Sequence, residues 1–379
     1  MLVEPKYQAA VEIAGTIEEH FAHHLEIAKN LQAENLAPAP EAKIIESIIN
    51  ISFWASLRRE EGFPPKISLA LFPPETSDHA LIFEQRIPLT SDSLIKLAPG
   101  VAGSGVHLGV WHENGNLFIW GTTLKIPAVS FVLQVVEPAL LVIKHRRING
   151  FGKFVNIAVL KGDQVKIVDE HSSSLSNCPS LLSSLLDMPL PSFVNDSVNI
   201  LIEIAVVMRT HGRGGLLAVV PADSASWKGS IIKPVSYPVK PAFSGIKTLM
   251  GSDMDKNQLS WQQSLRRQVE FVGGVTAIDG ATVINQNHEL LAFGAKITRS
   301  TEGLHIDKMI ITEPVFGGQA QTLHPAKYGG TRHLSAAQFV FDQRDAISMV
   351  ASQDGKFTVM AWSADLDMVH AHRIDVLLL

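Results

Sequence analysis

Three short stretches in the second half of the chain gather residue types suited to chemistry on phosphates and hydroxyls. The first is Asp279-Gly280-Ala281, which sets a carboxylate just before Thr282-Val283-Ile284, residues of high β propensity. A turn at that point does not require aspartate, and a carboxylate there can bind a divalent ion or orient a hydroxyl. The second is Gly329-Gly330-Thr331-Arg332-His333, followed by a run from Leu334 to Phe341 that reads as a helix. Thr331 stands where an N-cap belongs, and the two glycines let the backbone bend sharply and approach something closely. Arg332 and His333 then flank a helix N-terminus, whose free N–H groups and partial positive charge favour an anion. The third is Ser352-Gln353-Asp354, a polar turn at the end of the strand that starts near Asp345. Singly, each has an ordinary reading: a strand turn, a capped helix with a surface arginine and histidine, and a hairpin.

The elements around them point to an α/β domain. A helix over Asn195–Thr210, apolar on nearly every side, runs through His211-Gly212-Arg213-Gly214-Gly215 into a buried strand ending at Pro221. Asn285–Glu289 form a hairpin turn before a returning strand, Leu290–Ile297. Asp345–Met360 read as strand, turn and strand. The N-terminal half has a different pattern. Val11, Ala14, Ile17, Phe21, Leu25, Ala28 and Leu31 follow the helical period from about Tyr7 to Leu36, and Ala37–Pro40 ends that helix. A second helix is expected from Glu41 to Glu61, stopped by Gly62 and Pro64. Beyond Pro65 come short alternating runs with hairpin turns at Asn114-Gly115 and Gly162-Asp163. A helical pair followed by a mostly antiparallel sheet describes an α+β domain. The Ser- and Pro-rich segment Ser172–Phe193, holding one short helix, reads as the boundary, so the domains expected are 1–188 and 189–379.

In this order the three stretches resemble the diadenylate cyclase (DAC) domain, a bacterial signalling module that condenses two ATP into the second messenger cyclic di-AMP and releases pyrophosphate. The resemblance covers about residues 193–379, half the chain. It rests on the apolar helix running into GRGGLLAVVP, on DGATVI and GGTRHLSAA, and on AISMVASQDGKFTV. It implies a mixed sheet with flanking helices, nucleotidyltransferase activity on ATP, and Mg2+ or Mn2+ as cofactor. It also implies a homo-oligomer in which two such domains, each holding one ATP, face each other. Carried over, Asp279 works on the attacking ribose 3′-hydroxyl through metal, while Gly280 and Ala281 lie against the nucleotide. Gly330, Thr331 and Arg332 hold phosphate, His333 is a catalytic group and metal ligand, and Ser335 and Ser352 contact phosphate. Asp354 stands where some members have a metal-binding glutamate.

One departure matters. The family reads Arg-His-Arg where this chain has Arg332-His333-Leu334, which removes a charge-assisted contact worth about 1.5–3 kcal/mol when made. Arg213 and Lys327 are the candidate replacement cations. The departure opens two alternatives: a degenerate domain that senses a nucleotide without turning it over, and a cyclase making a different nucleotide signal. The N-terminal domain resembles the sensor modules that precede DAC domains in some bacteria, through its helix-then-sheet order and GNLFIWGTTLKIP. Its signal, a small molecule or a protein, is left open.

Composition narrows the class. Of 379 residues, 46% are hydrophobic and 18% charged, which describes a globular chain able to bury a sizeable core. A net charge of −5 gives no general attraction to nucleic acid or anionic membranes, and the tryptophans are scattered with no stacking platform. Cys178 is the only cysteine, so no intrachain disulfide or cysteine-based zinc site forms. The N-terminus lacks a signal-peptide core, and the most apolar stretches, Phe131–Ile143 and Val198–Met208, are broken by polar residues. The expectation is a cytoplasmic protein. His20, His23 and His24 fall at i, i+3 and i+4 on a helix, a spacing that could bind metal, but with Glu18, Glu19 and Glu26 beside them they read as a solvated helix face. His370 and His372 share a strand face without a third ligand nearby.

Overall fold

The computed structural model describes residues 4–77, 80–103, 105–148, 154–170, 179–186, 192–254, 258–300 and 303–379. The chain divides into two compact units, Met1–Val168 with Leu379, and Asp169–Leu378. The 188/189 boundary and Cys178 lie outside the described residues.

The first unit begins with α1 (Gln8–Asn30) and α2 (Ala42–Ser56), then β1 (Ile67–Leu71), β2 (Leu81–Pro88), α3 (Ser91–Leu97), β3 (His107–Glu113) and β4 (Asn116–Thr123). It continues through β5 (Phe131–Glu137), β6 (Leu140–Arg146), β7 (Phe154–Lys161) and β8 (Gln164–Ile167). These strands form one eight-stranded sheet in the order β2-β4-β3-β1-β5-β6-β7-β8. Its β1–β3 pairing is parallel and the others are antiparallel.

Helix α1 forms because Ile13, Ala14, Ile17, Phe21, Leu25 and Ala28 recur at three- and four-residue spacing and are buried together. Val11 and Leu31, expected in that stripe, are exposed. The helix also stops at Asn30, short of Ala37–Pro40, because Gln32 and Asn35 take left-handed backbone that turns the chain earlier. Similarly, α2 ends at Ser56 and not near Glu61. The turn at Asn114-Gly115 has φ of 49° and 78°, the mirror-image geometry that a tight hairpin between β3 and β4 needs.

The second unit contains α4 (Ser180–Leu185), α5 (Ser192–Thr210), β9 (Gly215–Val220), β10 (Tyr237–Phe243), α6 (Gly245–Met250), α7 (Leu259–Val275), β11 (Ala281–Asn285) and β12 (Leu290–Ala295). After these come β13 (Met309–Thr312), β14 (Gln321–Leu323), α8 (Pro325–Tyr328), α9 (Thr331–Asp342), β15 (Ile347–Ala351), β16 (Phe357–Ser363) and β17 (Met368–Arg373). The nine strands run β10-β12-β11-β9-β15-β16-β17-β13-β14. The sheet is mixed: β9 with β11 and β13 with β17 are parallel, and the other pairs are antiparallel. Leu216, Ala218 and Val220 share a core with Ala336, Ala337, Phe339 and Val340 of α9. The alternate residues Leu217 and Val219, also buried, face the other side, as the two-residue period of a strand requires. Helix α5 packs on α7 closely enough that a Cβ at Gly273 would collide with Val207. Among the described residues no helix is long and apolar enough to cross a membrane.

Candidate functional site

The sheet register brings the first and third stretches to one end of adjacent strands, and helix α9 brings the second beside them. Ala281 pairs with Leu216 across β11 and β9, and Ala351 pairs with Gly215 across β15 and β9. Asp279-Gly280, Gly214 and Ser352 therefore all flank the same end of three adjacent strands. Helix α9 starts beside that end. A Cβ placed on Gly214 would lie 2.9 Å from Nη1 of Arg332 and 3.3 Å from the Ala351 carbonyl oxygen, so the guanidinium rests against the loop that precedes β9. Gln353 donates to the carbonyl of Arg213 at 3.2 Å, tying the turn after β15 to the same loop.

Asp279 is exposed at this end, and no hydrogen bond or ion pair engages its carboxylate among the described residues. Its neighbour holds it in place. Gly280 has φ of 103°, and a Cβ there would lie 2.5 Å from the Gly294 carbonyl carbon and 2.8 Å from its oxygen. Only glycine satisfies both the backbone conformation and that approach. The next residue, Ala281, is buried as the first of β11.

The start of α9 differs from its sequence reading. Gly330 is the N-cap, Thr331 is the first helical residue, and no side chain caps the helix. The Thr331 hydroxyl is thus exposed and uncommitted to capping. Gly329 and Gly330 have φ of −158° and −73°, extended backbone that any residue adopts. What Gly329 supplies is space, since a Cβ there would strike the His333 ring. His333 is buried, T-stacked on Tyr328 with ring centroids 5.2 Å apart, and its Nε2 has no hydrogen-bond partner among the described residues. Burial lowers its pKa, and the negative charge of Asp354 opposes that shift. Leu334 is half-buried and packs against the α9 core, so its side chain serves the fold. Ser335 is half-buried one residue beyond it.

Asp354 is exposed and paired with Lys356 at 2.7 Å. Hydrogen bonds from Lys356 and then Ser352 push its pKa down to about 2, which keeps it ionised at neutral pH. Asp279, His333 and Asp354 do not converge into a three-ligand set among the described residues. Asp279 suits Mg2+ or Mn2+, hard ions that take one or two carboxylates and draw their other ligands from phosphate and water. His333, buried with its imidazole against Tyr328 and Gly329, does not suit such an ion in this conformation. Of the candidate replacement cations, both Arg213 and Lys327 are exposed. Arg213 lies in the loop that meets Arg332, while Lys327 is on α8.

Chemically, this end of the sheet offers an oxygen donor in Asp279, a guanidinium in Arg332, and the free N–H groups of a helix start. That combination suits a polyanion carrying a hydroxyl. The packing of Arg332 on Gly214 and of Gly280 on Gly294 was not legible in the sequence, because both are contacts between distant segments.

Two histidine groups also take definite form. His370 and His372 stack at 3.8 Å, and Oγ1 of Thr312 lies 2.9 Å from Nε2 of His370 and 3.2 Å from Nδ1 of His372. Burial holds their pKa values down to about 4 and about 3. On α1 the solvated-face reading is corrected for His20 and His24. Both are half-buried against His145 of β6, while His23 is exposed. The helical spacing of His20 and His24 was visible in the sequence, but the part of His145 was not, since it is more than a hundred residues away and hidden in an apolar strand.

Residues 34–124 match the family model described as probable sensor domain DACNV. No curated protein matches the chain significantly.

Proposed function

We propose that the second unit is a nucleotide cyclase of the diadenylate cyclase type, acting on ATP and regulated by the sensor unit. The observation that carries this reading is the shared end of adjacent strands at which Asp279-Gly280-Ala281, Arg332 and Ser352-Gln353-Asp354 meet. Arg332 and the first turn of α9 would hold the triphosphate, with Ser352, Ser335 and the Thr331 hydroxyl as further phosphate contacts. Gly280 keeps the backbone open for the nucleotide, and Asp279 would orient the attacking 3′-hydroxyl. That oxygen forms a bond to the α-phosphorus of a second ATP, the bond to the β-phosphate oxygen breaks, and pyrophosphate leaves with the pair of electrons. The hydroxyl proton passes to base or solvent. Repeating the step in the other direction closes the ring. Mg2+ or Mn2+, held by Asp279 and the phosphates, would supply charge neutralisation. Two ATPs must meet, so the reading requires two copies of the chain with these strand ends facing.

The match of residues 34–124 to a probable sensor domain supports the regulatory half, and the DACNV designation associates that sensor with DAC modules. One observation favours a second reading, a nucleotide sensor without turnover: Leu334 packs on the core and His333 is buried. The experiment that bears on both is ATP binding by the full chain and by Arg332→Ala. Loss of about 1.5–3 kcal/mol, roughly 10- to 150-fold in affinity, is expected. Unchanged affinity would remove the phosphate role and both readings with it.

A further inference from the structure

We infer that His20, His24 and His145 form a binding site for a late first-row divalent transition metal, of which Zn2+ is the test ion, inside the sensor unit. This cluster lies in the first unit, and its chemistry does not depend on the nucleotide reading. His20 and His24 sit four residues apart on α1, the spacing that turns two imidazoles to one face of a helix, as in known zinc-binding helices. Strand β6 delivers the third ring from across the helix–sheet interface. Ring centroids lie 4.2 Å apart for His20–His24, 4.6 Å for His24–His145 and 5.3 Å for His20–His145. One ring nitrogen from each of the three falls within 4.8 Å of the others.

The closest pair is decisive. Nε2 of His20 is 3.4 Å from Nδ1 of His145. Two nitrogens bound at about 2.0–2.1 Å to one tetrahedral ion stand about 3.3–3.4 Å apart. The pair is therefore already at ligand spacing, and His24 needs a small ring movement to complete the set. His145 is 2% exposed. The half-buried His20 and His24 leave an open side for a fourth ligand, water or a small anion. Three histidines and one open position is a set that Zn2+, Co2+ or Ni2+ accepts and that Mg2+ or Ca2+ does not. Such an ion would fasten α1 to β6. Both elements lie outside the matched residues 34–124 yet belong to the same compact unit.

The test uses the untagged full-length chain, titrated calorimetrically with Zn2+ and, in parallel, with Co2+ followed by visible absorption. Wild type is expected to take up one ion per chain, with the intense visible bands of four-coordinate Co2+. His20→Ala and His24→Ala, both half-buried and on the helix surface, should each lower affinity at least about 100-fold, beyond the loss for an outer-shell partner. His145→Asn should do the same, and circular dichroism at each step distinguishes ligand loss from unfolding. His23→Ala, exposed one residue away, should bind as wild type does. Wild-type binding no tighter than that of folded His20→Ala, or an equal loss in His23→Ala, would overturn the assignment.

Discussion

Gly280→Ala isolates the backbone feature on which the candidate site is built. The φ of 103° lies in a region that residues with a Cβ rarely adopt, and forcing alanine there costs about 1–3 kcal/mol. The new Cβ would also sit 2.5 Å from the Gly294 carbonyl carbon and 2.9 Å from its Cα. Those are backbone atoms of β12, which cannot swing aside as a side-chain tip can, so overpacking adds about 1–3 kcal/mol. Near the lower half of those ranges the sum is about 3 kcal/mol. For a unit of this size, with about 2–4 °C lost per kcal/mol, the melting midpoint should fall by about 6–12 °C. Gly317→Ala is the matched control. Its φ of 74° is also left-handed, but nothing lies within 4 Å of the added Cβ, so only about 1–2 kcal/mol is expected. Differential scanning calorimetry of both variants decides the matter. A Gly280→Ala midpoint no lower than that of Gly317→Ala would refute the close approach to Gly294, and with it the account of how Asp279 is positioned.

Leu334→Arg should lower the melting midpoint by about 2–4 °C without tightening ATP binding, because it removes about 1 kcal/mol of half-buried packing; tighter binding at unchanged stability would return Leu334 to the phosphate site. For His370 and His372, burial puts the folded pKa values at about 4 and about 3, below the ordinary 6.5. Their neutral forms are favoured in the fold, so this stability is full above pH 6.5 and is lost as pH falls through about 4 and then about 3. Urea midpoints between pH 7.5 and 4 should show that decline, and His370→Gln/His372→Asn, which keeps hydrogen-bonding atoms near Thr312, should flatten it. Asp354 should titrate near pH 2 by carboxyl NMR, and Lys356→Ala should move it up towards 3.8, since the Lys356 hydrogen bond is the largest cause of the depression. An unmoved Asp354 would contradict that pairing.

Local pattern carried much of the fold. The apolar stripe of α1, the Asn114-Gly115 hairpin and the strand–turn–strand run of Asp345–Met360 were readable because each is decided within a dozen residues. Helix ends were less legible: α1 turns at Gln32 and Asn35, whose left-handed backbone no proline or glycine announces. Helix α7 could have been found, since Trp261, Leu265, Val269 and Val272 recur at helical spacing and are buried. In the candidate site, the residue types drew attention to strand ends that the fold brings side by side, but their packing partners were not legible. Thr331 has the chemistry of an N-cap, yet Gly330 takes that position, and the glycine before it makes room for the His333 ring. Leu334 read as a missing arginine, although the turn of α9 directs it to the core. Such outcomes depend on which segment packs opposite, and no single stretch contains that information.

In the proposed function, the strand ends bearing Asp279 and Arg332 join two ATP molecules. The most direct measurement is mass analysis of the products after the full-length chain is incubated with ATP and Mn2+, beside Asp279→Asn prepared in the same way. The account predicts cyclic di-AMP with two pyrophosphates per ring from wild type, and none from a folded Asp279→Asn. No cyclic product from wild type under conditions where ATP binds, or equal product from both, would contradict it.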